Sequence, residues 1–332
     1  GIRAASVNKD LETALQLLYV KLTQPRLDTG LFRGIISRSK ANLANRSDDP
    51  NSVFQDSISA VLSNYNVRRT GPSIEKLDQI NVDRVYNIYK ERYADASGMT
   101  FVFVGSLDTN ELKPLLEKYI GSLPVTHANE QAKDLNIHIP PGRIEKNVYK
   151  GTEDKATVRL VFSGSFDYNL ANVIHLDALK ETLEFRLIER LREEEGGVYS
   201  PGVQTASAKF PKGRYSFVVV FGCSPANVNK LVASTLDEIA KVKVDGPPQV
   251  NVEKYIAEER RQQEVQLKTN DFWLNYLENQ LQNGDPLAEY QQEDRLLKEL
   301  TPASIKAAAQ KYLSGENYIR LVLSPEISKP AK

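Results

Sequence analysis

Thr301-Pro-Ala-Ser-Ile-Lys-Ala-Ala-Ala-Gln-Lys-Tyr312, followed by Tyr318-Ile-Arg-Leu-Val-Leu323, is the stretch whose reading decides the fold. A threonine and a proline open a helix, and a β-prone apolar run closes the chain. The same grammar occurs much earlier. Asn81-Val-Asp-Arg-Val-Tyr-Asn-Ile-Tyr-Lys-Glu-Arg-Tyr93 is followed by Thr100-Phe-Val-Phe-Val-Gly105. Three helical stretches precede each copy. The period is far too long for a solenoid, so the repeat implies two homologous α+β domains, each ending in helices and a strand.

Outward from the first copy, the apolar spacing predicts helices over 10–24, 28–46, from Pro50 through Leu62, over 82–93 and over 109–120. Thr100–Gly105 reads as a strand covered on both faces or central in a sheet. A segment rich in proline and polar residues follows. It marks a linker over 123–142, between a first domain at 1–122 and a second at 143–332. The second domain reads as strands at 144–150, 156–163, 198–209 and 213–223, with a long helix at 169–195. Helices at 225–242, 249–268, 270–283 and 302–313 lead to the last strand. The two copies are unequal, because no strand precedes the first helix of domain one. If they are equivalent, domain one is truncated at its N-terminus, and its sheet has a bare edge unless other residues supply the strands.

Composition narrows the function. The chain has 43 basic and 43 acidic residues, a balance that argues against nucleic acid or a polybasic membrane patch as partner. No apolar run approaches the roughly 20 residues of a membrane span. The single cysteine, Cys223, excludes an internal disulfide and reads as a buried hydrophobe at the end of a strand. The three histidines, His127, His138 and His175, lack the spacing of a helical two-histidine site. His127 and Glu130 stand three apart but without a third ligand. No spaced-glycine phosphate loop and no local nucleophile–histidine pairing is present.

That leaves Leu191-Arg-Glu-Glu-Glu-Gly-Gly-Val-Tyr-Ser200. Leu176, Leu179, Leu183, Leu187 and Leu191 make one helix face core, and Arg192 lies at its edge. Three glutamates then crowd a helix C-terminus, where the macrodipole disfavours them. A glycine can take the left-handed cap and reverse the chain, which brings Tyr199 beside the helix end. Arg192, a permanent cation, and Tyr199, a neutral donor, can together hold a carbonyl oxygen or a developing oxyanion. The same residues also fit an ordinary helix end followed by a strand.

Arg192-(x6)-Tyr199 resembles the arginine–tyrosine motif of the M16 (pitrilysin/insulinase-like) zinc metallopeptidases, in the C-terminal domain type of that family. Leu183–Leu187 and Gly213-Arg-Tyr-Ser-Phe-Val-Val-Val fit the same pattern. Asp10-Leu-Glu-Thr-Ala-Leu-Gln-Leu-Leu-Tyr19 and Tyr93-Ala-Asp-Ala-Ser-Gly-Met-Thr-Phe-Val-Phe-Val-Gly-Ser106 resemble the second half of bacterial two-half members, the PqqL-like zinc proteases. The resemblance implies an α+β fold of LuxS/MPP-like domains, each a mainly antiparallel sheet packed with helices. It implies a third domain truncated at its N-terminus and then the C-terminal domain. It further implies an N-terminal half carrying His-x-x-Glu-His and zinc, and a peptide substrate hydrolysed in a chamber between the halves. Arg192 and Tyr199 would bind the scissile region from across that chamber. His-x-x-Glu-His is absent from this sequence. By that departure no metal is expected in this chain, which reads as the C-terminal portion of a longer one. The alternative is a non-catalytic structural or interaction subunit of the same superfamily. Compartment is not written in the residues; the likeness to exported bacterial members points to the periplasm.

Overall fold

Side chains that accept from the first free backbone amides mark most helix starts in the computed structural model, which describes residues 1–127, 132–198 and 200–326. Thr301 opens its helix with a full capping box: its hydroxyl accepts from the Ser304 amide, and Ser304 returns the bond to the Thr301 amide. Asn81, Asp108, Asn169 and Thr269 cap in the simpler one-bond way. Asp49 does the same, with Pro50 at the first helical position, where its missing N–H costs nothing.

The elements in order are α1 (Leu11–Thr23), α2 (Thr29–Ala44), α3 (Pro50–Leu62), α4 (Ile74–Asp78), α5 (Val82–Tyr93), α6 (Thr109–Tyr119), β1 (Arg143–Tyr149), β2 (Ala156–Ser165), α7 (Leu170–Leu187), β3 (Gly202–Ala208), β4 (Arg214–Cys223), α8 (Val228–Asp245), α9 (Gln249–Gln266), α10 (Asn270–Asn283), α11 (Glu293–Lys298), α12 (Pro302–Tyr312) and β5 (Tyr318–Ser324). Contacts divide them into two compact units: residues 1–44, 72–132 and 267–284, and residues 45–71, 133–266 and 285–332. Thus α3 packs with the second unit and α10 with the first.

The second unit is a mixed sheet in the order β1-β5-β2-β4-β3. Three of its pairings are antiparallel, and β1 with β5 is parallel. Strand alternation separates two cores. The inner face presents Val158, Leu160, Phe162, Phe217, Val219 and Phe221 to α7, α8 and α12. Each fully buried leucine of the α7 stripe removes apolar surface worth about 2 kcal/mol. Tyr215, Tyr312 and Phe166 meet as rings at one end, and the Tyr215 hydroxyl donates to the Tyr312 carbonyl at 2.7 Å. On the outer face, Val148, Val161, Val218, Ile319, Leu321 and Leu323 pack with Phe54, Ile58 and Val61 of α3.

One charge lies deep in this unit. Glu238 of α8 is 5% exposed and takes the Arg186 guanidinium of α7 at 2.9 Å and Lys241 at 2.7 Å. Arg186→Ala leaves that carboxylate with only the Lys241 partner. The expected cost is about 3 kcal/mol, the lower end for breaking a buried pair, read as a shift in urea midpoint at constant slope.

The first unit is helical. α1 lies against α5 and α6, and α2 against α4. Tyr86 and Tyr89 donate to the Pro25 and Lys21 carbonyls at 2.8 and 3.0 Å, tying α5 to the end of α1. Thr100–Gly105 is expected as a strand, but it forms no ladder. A β-prone run becomes a strand only against another strand, and among the described residues this unit offers none. The segment borders a cavity of about 1280 Å³ lined also by Leu11, Leu15, Leu18 and Leu22 of α1.

Candidate functional site

The Arg192 region is built by the way α7 ends. The helix runs to Leu187 and then widens into a π-helical turn over Ile188–Glu194. The Glu195 amide bonds the Arg190 carbonyl at 3.2 Å, and the Gly197 amide the Leu191 carbonyl at 3.1 Å. Such turns are rare and concentrate at functional sites. The leucine stripe holds through it, since Leu191 is fully buried. Gly196 takes φ +58°, the left-handed region that a capping glycine adopts without strain. Gly197 lies so close to the core that an added Cβ would stand 2.8 Å from a Leu231 methyl.

The three glutamates do not simply oppose the helix dipole. Glu194 accepts from Arg190 at 2.8 Å. Glu195 is turned inward, its side chain 8% exposed, between Arg190 at 3.1 Å and Lys230 of α8 at 3.0 Å. Its carboxyl is held below the usual range, first by the Ser234 hydroxyl and then by those two cations. Together they clamp the end of the turn to α8. Arg192 is left outward, its side chain 54% exposed, with Glu193 beside it at 3.4 Å. That neighbour is itself exposed, so the pair is worth about 0–1 kcal/mol and the guanidinium remains available. Its five donors in a planar fork suit a carbonyl or carboxylate oxygen.

Tyr199, the second residue expected here, lies outside the described residues, as does Glu130. β3 begins at Gly202, four residues later than the sequence suggests, because Pro201 cannot donate to a ladder. Glu195, Lys230 and Ser234 were not visible as partners in the sequence. The one local signal was a glutamate placed against a double glycine.

The remaining candidates have ordinary roles. His138 has its ring nitrogens at 3.1 Å from the Ile139 carbonyl and 3.0 Å from the Asn136 side chain. His127 bonds Ser97 through its main-chain amide. His175 sits on α7. Among the described residues no group of three or more histidine, cysteine, aspartate or glutamate side chains is arranged to hold a metal. The described residues therefore offer no set of side chains that fits zinc. Burial pushes the Cys223 thiol up to about 11, which makes it a packing group. No helix among the described residues is long and apolar enough to cross a membrane.

Against known proteins, residues 79–259 match the family described as the peptidase M16 inactive domain. The chain is 26% identical to a zinc protease PQQL-like protein of Arabidopsis thaliana, over 96% of this chain and 36% of that one. It is 25% identical to a probable zinc protease PqqL of Haemophilus influenzae, over 94% of this chain and 33% of that one. The crystal structure of the periplasmic protease PqqL from Escherichia coli superposes with a TM-score of 0.84 at 20% identity, over 96% of this chain and 35% of that one. The chain thus spans about a third of the length of the relatives it matches. With a family match that covers over half its residues, on an α+β fold shared with those proteins, this chain belongs to the peptidase M16 family, in its inactive C-terminal domain type.

Proposed function

We propose that this chain is the substrate-binding, non-zinc half of an M16 zinc metalloendopeptidase. In this reading, peptides or unfolded polypeptides are hydrolysed inside a chamber formed with an N-terminal, zinc-bearing half. In this reading residues 1–122 belong to the third domain of the enzyme and 143–332 to its C-terminal domain, with 123–142 as linker. The observation that carries the reading is Arg192. It is a cation held outward at the end of a clamped π-turn, seven residues before Tyr199. The family names of the relatives and the absence of His-x-x-Glu-His from this sequence support the division of labour. The zinc belongs to the other half and supplies the Lewis acid for hydrolysis.

What this chain does is positional. Arg192 donates to a substrate carbonyl oxygen and strengthens that bond as negative charge develops there, while the Tyr199 hydroxyl offers a second donor. Glu195, Arg190 and Lys230 hold the turn so that no reorganisation is needed at the moment of reaction. The likeness to a periplasmic protease supports the periplasm as the site of action.

The test is complementation. This chain alone should cleave no peptide and should bind zinc without a defined stoichiometry. Mixing it with the zinc-bearing half, or joining the two in one polypeptide, should produce peptide cleavage. Cleavage by this chain alone would overturn the reading. Failure of the joined protein to cleave any unfolded polypeptide would favour a structural subunit instead.

A further inference from the structure

The outer face of the sheet carries charge of one sign. Positions alternate along each strand, so the residues that share this face follow from the register and the outer core. On β1 and β5 they are Ile144, Lys146, Val148, Ile319, Leu321 and Leu323. On β2 they are Thr157, Arg159, Val161, Ser163 and Ser165. On β4 they run from Arg214 through Ser216, Val218 and Val220 to Gly222, and on β3 from Gly202 through Gln204 and Ala206 to Ala208. Lys146, Arg159 and Arg214 are the charged members, and none is acidic. The helix on this face, α3, brings one carboxylate, Asp56, which Arg46 already holds at 2.7 and 3.2 Å.

Arg159 is the unusual one. It sits on the central strand, level with Leu321 on one side and Val220 on the other. Its Nε is sealed from solvent without a hydrogen-bond partner, and no ion pair reaches it among the described residues. Burial lowers its affinity for the proton, with no carboxylate near enough to offset that. A half-buried, uncompensated cation destabilises a fold, so its place in a β-strand calls for a partner that arrives from outside. The row through Arg159 and Val220 ends at Gly202 of β3, where an added Cβ would meet nothing within 4 Å. Gly202 is also where the Arg192-bearing segment enters the sheet. Two strand spacings of ~4.8 Å place Arg159 about 10 Å from it on the same row.

We propose that this face binds an extended acidic segment of the substrate polypeptide, with Arg159 taking one of its carboxylates in a bidentate pair. Lys146, two strands away on the same row, and Arg214, at the far end of the neighbouring β4, add attraction. This deepens the proposed function by naming acidic polypeptides as the preferred substrate class, and it rests on that reading. The charge pattern is what commits the face to a carboxylate-bearing occupant: a neutral or basic segment would leave three cations unanswered.

The test uses the full-length protein in the presence of a chelator, so that binding is read without cleavage. The probes are a fluorescein-labelled peptide rich in glutamate and its glutamine counterpart. A hydrogen-bonded charge pair at a sheltered site should favour the glutamate peptide by roughly ten- to hundred-fold in Kd. That preference should shrink with added salt. Arg159→Gln should abolish most of the preference, Arg159→Lys should keep part of it, and Arg159→Leu should raise Tm. Equal affinity for the two peptides, or a preference that survives Arg159→Gln, would overturn the proposal. So would a fall in Tm for Arg159→Leu, because the arginine would then be serving the fold. A protein that prefers the acidic peptide yet never cleaves with its zinc half overturns the proposed function alone. One that cleaves but ignores glutamate overturns only this inference.

Discussion

Under the proposed function, Arg192→Ala in the full-length protein is expected to lower kcat/KM for peptide cleavage by roughly 10²–10³-fold, the usual cost of one lost oxyanion-type donor, and to leave Tm where it was. The two halves of that expectation come from the same geometry. The side chain is more than half exposed, and its nearest charge is the equally exposed Glu193 at 3.4 Å, so the fold loses almost nothing. The π-turn keeps its shape because Leu191, Glu195 and the Gly196 cap stay in place. Arg192→Lys should recover only part of the rate, since an ammonium keeps the charge but not the planar fork. Steady-state kinetics beside thermal unfolding decides the matter. Unchanged cleavage removes Arg192 from the site, and a large drop in Tm makes it a structural residue.

Gly213→Ala should be the most damaging single methyl in the second unit, costing about 3 kcal/mol or more. A Cβ at this position would stand 2.0 Å from the Phe166 carbonyl oxygen, which is backbone and cannot swing away. The Phe166 amide also donates to the Gly213 carbonyl at 2.9 Å, so the two chains are pinned where β2 ends and β4 begins. Any shift there moves Phe166 against Tyr215 and Tyr312. Gly202→Ala is the matched control: with open space at its Cβ position, it should change the urea midpoint little. Equal effects at the two positions would mean that the close approach is absent in solution.

Local signals were readable in the sequence, and contacts between distant segments were not. The leucine stripe gave α7 through Leu187, and Thr301-Pro302 gave the start of α12. Alternation gave β2, and the apolar run over 215–221 gave β4, each within two residues of its ends. These depend only on periodicity and capping, which act over a turn or a strand. The π-turn left no such mark, because nothing in Ile188–Glu194 breaks a helix. It forms where Glu195 is drawn inward by Arg190 and Lys230, and Lys230 lies on another element. Arg186 with Glu238, and α3 on the outer sheet face, are likewise pairings of distant segments. Of the candidate site, Arg192 was legible as a residue from its position after Leu191. Its outward orientation depended on which of its neighbours paired elsewhere, and only the fold decides that. The functional reading of the pair came from resemblance, and Tyr199 still rests on the sequence alone.

The Thr100–Gly105 run has a consequence for how the polypeptide behaves among copies of itself. Its residues Thr100-Phe-Val-Phe-Val104 carry no charge and no proline, and they combine aromatic with β-branched side chains. Such a segment with idle backbone donors and acceptors is a template for intermolecular sheet growth, and proteins ordinarily blunt it with lysine, proline or a covering strand. No gatekeeper stands inside this one. What covers that short backbone ledge is therefore one determinant of whether the molecule stays dispersed or seeds ordered aggregates.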